Sequence, residues 1–153
     1  MKNQDQAQVI PKLEDVTVLL IEDDEIDVMG IKRALGQFSM DNLVVTAADG
    51  IEALEKLRDG SSVPRPYLIL LDLNMPRMNG LEFLQQTRQD PHLQDSLVFV
   101  LTTSSAKKDK DMAYRHNIAG YIVKDRKGGS FNSTINMLKQ FTNVVDFPEA
   151  PAA

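Results

Sequence analysis

Cysteine is absent from the 153-residue chain. No disulfide framework and no thiolate metal site can be built from it. No run of eighteen apolar residues occurs, which excludes a membrane-spanning helix. The first fifteen residues are polar and lack the apolar core of a secretory signal. Together these absences place the expected location in the cytoplasm. The net charge is -5 and no Lys/Arg face is clustered; "KKDKD" at Lys107 to Asp111 mixes both signs. A nucleic-acid partner is therefore not expected, because phosphate contacts need a basic footprint.

What is present is an ordinary globular balance, 42% apolar and 25% charged, at a length that suits one domain with a real core. Residues 1–15 read as a flexible lead. "VTVLLI" (Val16 to Ile21) is a short β-branched apolar run, the pattern of a strand buried on both faces. Asp23 or Asp24 then caps a helix reaching about Phe38, with Ile26, Met29, Leu35 and Phe38 expected on its inner face. "NLVVTAA" is a second strand. Asp49 caps a second helix that stops at Gly60. "YLILLD" is a third strand, Leu81 to Gln89 a third helix and "SLVFVLT" a fourth strand. Ser105 to His116 is a fourth helix led by capping hydroxyls. "AGYIVK" is a fifth strand and Ser130 to Phe141 a fifth helix, and the "PEAPAA" tail is expected to be unstructured.

Strands joined by helical crossovers pair in parallel, and helices must then cover both faces. The expected fold class is α/β: a doubly wound five-stranded parallel sheet of flavodoxin-like order 2-1-3-4-5 in an α/β/α sandwich. Ligands bind such sheets at the carboxyl ends of the strands, where the winding direction switches.

The strand ends hold the reactive groups. Strand one ends at Glu22, Asp23 and Asp24, strand three at Asp72, strand four at Thr102 and Thr103, and strand five at Lys124. Carboxylates crowded on one rim repel one another, and a divalent cation resolves the conflict. Oxygen-only ligands favour Mg²⁺ or Mn²⁺. Asp23 and Asp72 are expected to bind it directly, with the Asn74 backbone carbonyl as a third ligand and Glu22 holding a bound water. A carboxylate beside such a cation and a lysine is a phosphoryl acceptor in form. Asp72 would be the nucleophile, with Lys124 and Thr102 meeting the oxygens of the transferred group. A flavin or nucleotide site is disfavoured. It would need a Gly-, Ser- or Thr-rich loop after strand one, where this chain has Glu-Asp-Asp-Glu.

The motifs "VLLIEDDEID", "LILLDLNMPRMNG", "VLTTSS" and "GYIVK", in that order and spacing, resemble the receiver domains of two-component response regulators. The resemblance spans about Val16 to Phe141. It implies that Asp72 is the phosphoacceptor, Glu22 and Asp23 the acidic pair, Lys124 the conserved-type lysine, and Thr102 the switch hydroxyl. Thr102 is preferred to Thr103 because the family spacing from Asp72 then fits without a gap. It also implies that Tyr121 is the aromatic that turns inward on activation. The family usually has Lys-Pro with a cis bond after strand five; here Asp125 follows Lys124. A trans Lys124–Asp125 bond is expected, since a cis non-proline bond costs about 3 kcal/mol. Asn74 and Ser104, flanking the acceptor, are expected to tune how fast water removes the phosphate.

The resemblance implies no enzyme beyond self-phosphotransfer and autodephosphorylation. A receiver is expected over residues 16–142, with an arm and disordered tail over 143–153 and no room for an output domain. Phe141, Val144, Val145 and Phe147 look like the C-terminal arm of stand-alone regulators that serve bacterial and cyanobacterial phytochrome kinases. The implied partners are a sensor histidine kinase, bacteriophytochromes included, and a second copy. The homodimer would use the arm and the face of helix four, strand five and helix five. The competing expectation is a pseudo-receiver, an interaction module that never takes phosphate. His92 and His116 read as ordinary surface residues, and Met75 and Met78 as packing.

Overall fold

The computed structural model describes residues 15–38, 43–125 and 130–150. Residues 1–14 of the lead expected over 1–15, and the last three tail residues, lie outside the described residues. Five β-α units follow one another. They are β1 (Thr17–Ile21) and α1 (Glu25–Gln37), β2 (Val44–Ala47) and α2 (Gly50–Arg58), β3 (Tyr67–Leu71) and α3 (Gly80–Gln89), β4 (Leu97–Thr102) and α4 (Lys107–Arg115), and β5 (Gly120–Val123) and α5 (Asn132–Val144). All strand pairs are parallel and the sheet order is β2-β1-β3-β4-β5, as expected from the sequence.

The central strands are buried on both faces because alternate side chains enter different cores. Leu19, Ile21, Ile69, Leu71, Val98 and Val100 pack with Leu54 of α2 and with Phe83 and Leu84 of α3. Val18, Leu20, Leu68, Leu70, Phe99 and Leu101 pack with Ile31 and Leu35 of α1 and with Ile135 and Leu138 of α5. The two layers of helices press the sheet into one body with β1 and β3 in direct register, Ile21 beside Leu71. The residues that leave those two strands are therefore neighbours.

Three local expectations change. Ile26 and Met29 do not face the core; they are 80% and 60% exposed. The buried stripe of α1 runs through Val28, Ile31, Ala34 and Leu35, and the helical period carries Ile26 and Met29 to the far side. Leu35 is buried and Phe38 packs against the core as expected. α4 begins later than the Ser/Thr cluster, with Ala106 at its N-cap and no side-chain cap. The Ser104 hydroxyl instead donates to Asp109 at 2.6 Å and accepts the Ala106 N–H at 3.3 Å. α5 continues to Val144, so Phe141 and Val144 are helical rather than part of an arm. Phe141 meets Phe99 edge to face at 5.0 Å, and Phe147 is buried in this chain's own core. Val144 alone of the four is strongly exposed.

Candidate functional site

Adjacent aspartates after β1 divide two tasks. Asp24 is the N-cap of α1 and its carboxylate accepts the N–H groups of Ile26 and Asp27 at 2.9 and 3.2 Å. Capping by Asp24 leaves Asp23 exposed at the rim. Glu22 is buried, and its backbone N–H continues the sheet by donating to the Ala47 carbonyl at 2.9 Å. Asp72 is placed the same way: its N–H donates to the Ile21 carbonyl at 3.0 Å, one step past the end of β3. Carboxylate oxygens of Glu22, Asp23 and Asp72 lie within 4.8 Å of one another. A hard dication fits this donor set, which offers oxygen and no nitrogen or sulfur.

The loop after Asp72 is fastened from both sides. Asn74 N–H donates to Asp72 Oδ1 at 3.3 Å. The Met78 carbonyl accepts the Gly50 N–H at 3.1 Å, and Arg77, in the left-handed region at φ 60°, reaches Asp49 at 2.6 Å. Asp49 also caps α2, as the sequence implied. Burial works against its charge, yet the Arg77 hydrogen bond and the capped N–H groups hold its carboxyl below the usual range. Met75 is buried and Met78 packs on the core, both in the expected packing role.

Lys124 enters from the end of β5, its N–H held by the Thr102 carbonyl at 2.7 Å. The side chain is buried, and its Nζ lies 2.5 Å from Glu22, 2.7 Å from Asp27 and 3.8 Å from Asp72. Among the described residues the cis peptide is Arg65–Pro66, so Lys124–Asp125 is trans, as expected. Burial lowers the affinity of Lys124 for its proton, but hydrogen bonds to Asp27 and Glu22 outweigh it and the pKa is raised. Burial pushes the Glu22 carboxyl up to about 7, reinforced by the Asp72 charge and opposed by Lys124.

Thr102 is fully buried, whereas Thr103 is part-exposed. The Thr102 hydroxyl accepts the Ser104 N–H at 3.4 Å, and the Tyr121 hydroxyl donates to the Ser104 carbonyl at 2.9 Å. The half-buried Tyr121 thus shares one peptide segment with Thr102. Burial raises its phenol pKa. Asp27 and Arg77 were missed by sequence reasoning. Asp27 had one signal: an acid one helical turn beyond the Glu-Asp-Asp run, which a first-turn acid favoured by the helix dipole disguises.

The Glu22 shift sets a pH dependence. The folded metal-free protein holds a proton on Glu22 between about pH 4.5 and 7 that the unfolded chain has released, so this contribution weakens as pH rises through that window. Urea unfolding of metal-free protein is expected to show a loss of about 3 kcal/mol from Glu22 over that range, absent in Glu22→Gln. An identical slope in the two proteins would remove Glu22 as its source.

A doubly wound sheet with three acids, a hydroxyl and a lysine on the carboxyl rim defines a receiver-type signalling domain. Residues 18–136 match the response regulator receiver domain family, and the chain belongs to that family. It is 35% identical over 112 residues to the response regulator Rcp1 of Synechocystis sp., covering 71% of this chain and 76% of Rcp1. It is 30% identical over 139 residues to a probable methanogenesis regulatory protein, FilR2, of Methanothrix harundinacea, covering 90% of each. The phosphorylated cyanobacterial phytochrome response regulator RcpA superposes with a TM-score of 0.74 at 32% identity, over 88% of this chain and 99% of RcpA. A Mn²⁺-bound form of Rcp1 does so with a TM-score of 0.74 at 30% identity, over 91% of this chain and all of that one. The class is thus a two-component response regulator receiver. Among the described residues no helix is long and apolar enough to cross a membrane.

Proposed function

We propose that Asp72 accepts a phosphoryl group from the phosphohistidine of a sensor kinase, and that the change is passed on through the face of α4, β5 and α5. The observation that carries this reading is the meeting of Asp72 with Glu22, Asp23 and Lys124 on one rim. Asp72 supplies the attacking oxygen. The bond from phosphorus to the donor breaks, and its electrons leave with the donor. Lys124 offers an ammonium to one oxygen of the transferred group, and the Thr102 hydroxyl hydrogen-bonds another. Mg²⁺ or Mn²⁺, when held by Asp23, Asp72 and the Asn74 carbonyl with Glu22 behind a water, neutralises part of the phosphoryl charge.

Engagement of Thr102 by the phosphoryl group would loosen its contact with Ser104, the residue that Tyr121 also grips, and so bias the packing of β5 against α4. Met112 and Tyr114 of α4, Val123 of β5 and Met137 of α5 are exposed. A second copy is the occupant we propose for it, with Val144 at its edge; Phe147 is already committed to its own chain. The likeness to RcpA, a cyanobacterial phytochrome response regulator, supports a phytochrome-type kinase as the phosphodonor; a cytoplasmic setting belongs to the same proposal. We assign the receiver to residues 16–142.

Incubation with acetyl phosphate and Mg²⁺ is expected to add one phosphoryl group, measured as intact mass, and excess chelator is expected to prevent it. Mass unchanged with Mg²⁺ present would end the phosphoacceptor reading and leave an interaction module. Sedimentation of the two forms in parallel reads the dimer.

A further inference from the structure

An ammonium has three hydrogens to donate. In Lys124 two of them are engaged, by Glu22 at 2.5 Å and Asp27 at 2.7 Å. Asp72, at 3.8 Å, is beyond hydrogen-bond range. Asp27 stands outside the carboxylate cluster of Glu22, Asp23 and Asp72. It is not the cap of α1 either, because Asp24 is the N-cap and accepts the N–H groups of Ile26 and Asp27. Its carboxylate nevertheless reaches across from α1 to the end of β5.

We propose that Asp27 is a positioning residue that holds the Lys124 ammonium toward α1 and away from Asp72, so that phosphoryl transfer must first compete it off Asp27. The inference rests on the reading of Asp72 as phosphoacceptor. As the Asp72 oxygen bonds to phosphorus and the donor departs, negative oxygens arrive beside Asp72 and draw the ammonium across. Asp27 is the partner that can release it. Its side chain is 25% exposed, against 2% for Glu22, so water can hydrate the carboxylate that the ammonium leaves. The ion pair thus sets a threshold on the reaction and ties the state of Asp72 to the first turn of α1.

The test measures the rate of phosphoprotein formation from acetyl phosphate at saturating Mg²⁺, for wild type, Asp27→Asn, Asp27→Glu, Lys124→Met and the Asp27→Asn/Lys124→Met double variant. Asp27→Asn is expected to accelerate the reaction about five-fold, the scale of a partly exposed ion pair. Asp27→Glu is expected to restore the wild-type rate. In the Lys124→Met background the Asp27→Asn change is expected to have no effect. An equal acceleration in both backgrounds would mean that Asp27 acts as a general negative charge, and no acceleration in either would mean that it does not act; both overturn the proposal. A crystal structure of Asp27→Asn gives a readout independent of transfer: Lys124 Nζ is expected within hydrogen-bond distance of Asp72, and an unchanged separation overturns it. Equal labelling of wild type and Asp72→Asn would instead sink the phosphoacceptor reading, while that distance still decides the role of Asp27.

Discussion

Asp72→Asn is expected to abolish phosphoprotein formation, with no retarded band on a gel that slows phosphoproteins after incubation with Mg²⁺ and acetyl phosphate. The amide keeps the shape of the side chain and its place beyond β3, where the backbone N–H is fixed by Ile21. It removes the anionic nucleophile and one negative charge from a cluster whose oxygens lie within 4.8 Å of one another. The loss should therefore be nearly complete, while thermal stability is retained or improved, because relief of like-charge repulsion offsets the lost interaction with Lys124. A band of equal intensity in both proteins would place the phosphate elsewhere. A large fall in melting temperature would mean instead that the variant fails for want of a fold.

Gly80→Ala is expected to damage stability and site together. A Cβ at position 80 would stand 2.5 Å from the carbonyl oxygen of Asp72 and 2.7 Å from Cα of Leu73. Both are backbone atoms and cannot swing aside as a flexible side chain can. The N–H of Gly80 also donates to the Leu73 carbonyl at 3.1 Å, so the start of α3 and the turn after Asp72 are stitched together where the overlap would fall. Relief requires α3 to lift or the turn to rotate. Overpacking of this kind costs about 3 kcal/mol, partly offset by the better helix propensity of alanine. Rotation of the turn moves the Asp72 carboxylate and the Asn74 carbonyl from Asp23. Chemical denaturation should show the stability loss, and the acetyl phosphate rate should fall at least about tenfold, the equivalent of roughly 1.4 kcal/mol in the barrier. Retention of both values would show that the turn is more pliable than its contacts imply. Gly80 was readable in sequence only as part of the "NMPRMNG" motif; the need for glycine comes from a backbone contact with Asp72.

The legible part of the protein was the part written in local patterns. The apolar runs of β1, β3 and β4 are continuous because a parallel sheet covered on both faces leaves no wet side, and these runs identified the strands; their order followed from the β-α succession and the flavodoxin-like winding it implies. The strand ends then named Glu22, Asp23, Asp72 and Lys124, because topology brings the carboxyl ends to one rim, and the family resemblance chose Thr102 over Thr103. Asp49 as a cap and Gly60 as a stop were equally local, Gly60 taking φ 80° where the helix ends. The inner face of α1 departs from the expectation at Ile26 and Met29, because the helical period that turns Ile31, Ala34 and Leu35 to the core turns those two to solvent. The arm was misread at Phe147, since an apolar residue past a helix does not reveal whose core it enters.

By itself, then, the sequence determined which elements form, how they wind, and which charged groups gather at one end, since each follows from local apolar runs, their periods and the succession of strands and helices. Only the tertiary structure decided where the Lys124 ammonium rests, that Asp27 rather than Asp72 holds it, and that Gly80 must leave room for the Asp72 carbonyl. Those outcomes hinge on differences of about an ångström in contacts between residues as far apart in the chain as Asp27 and Lys124. Coulomb attraction and steric overlap act on distance in space, which residue order along the chain does not record.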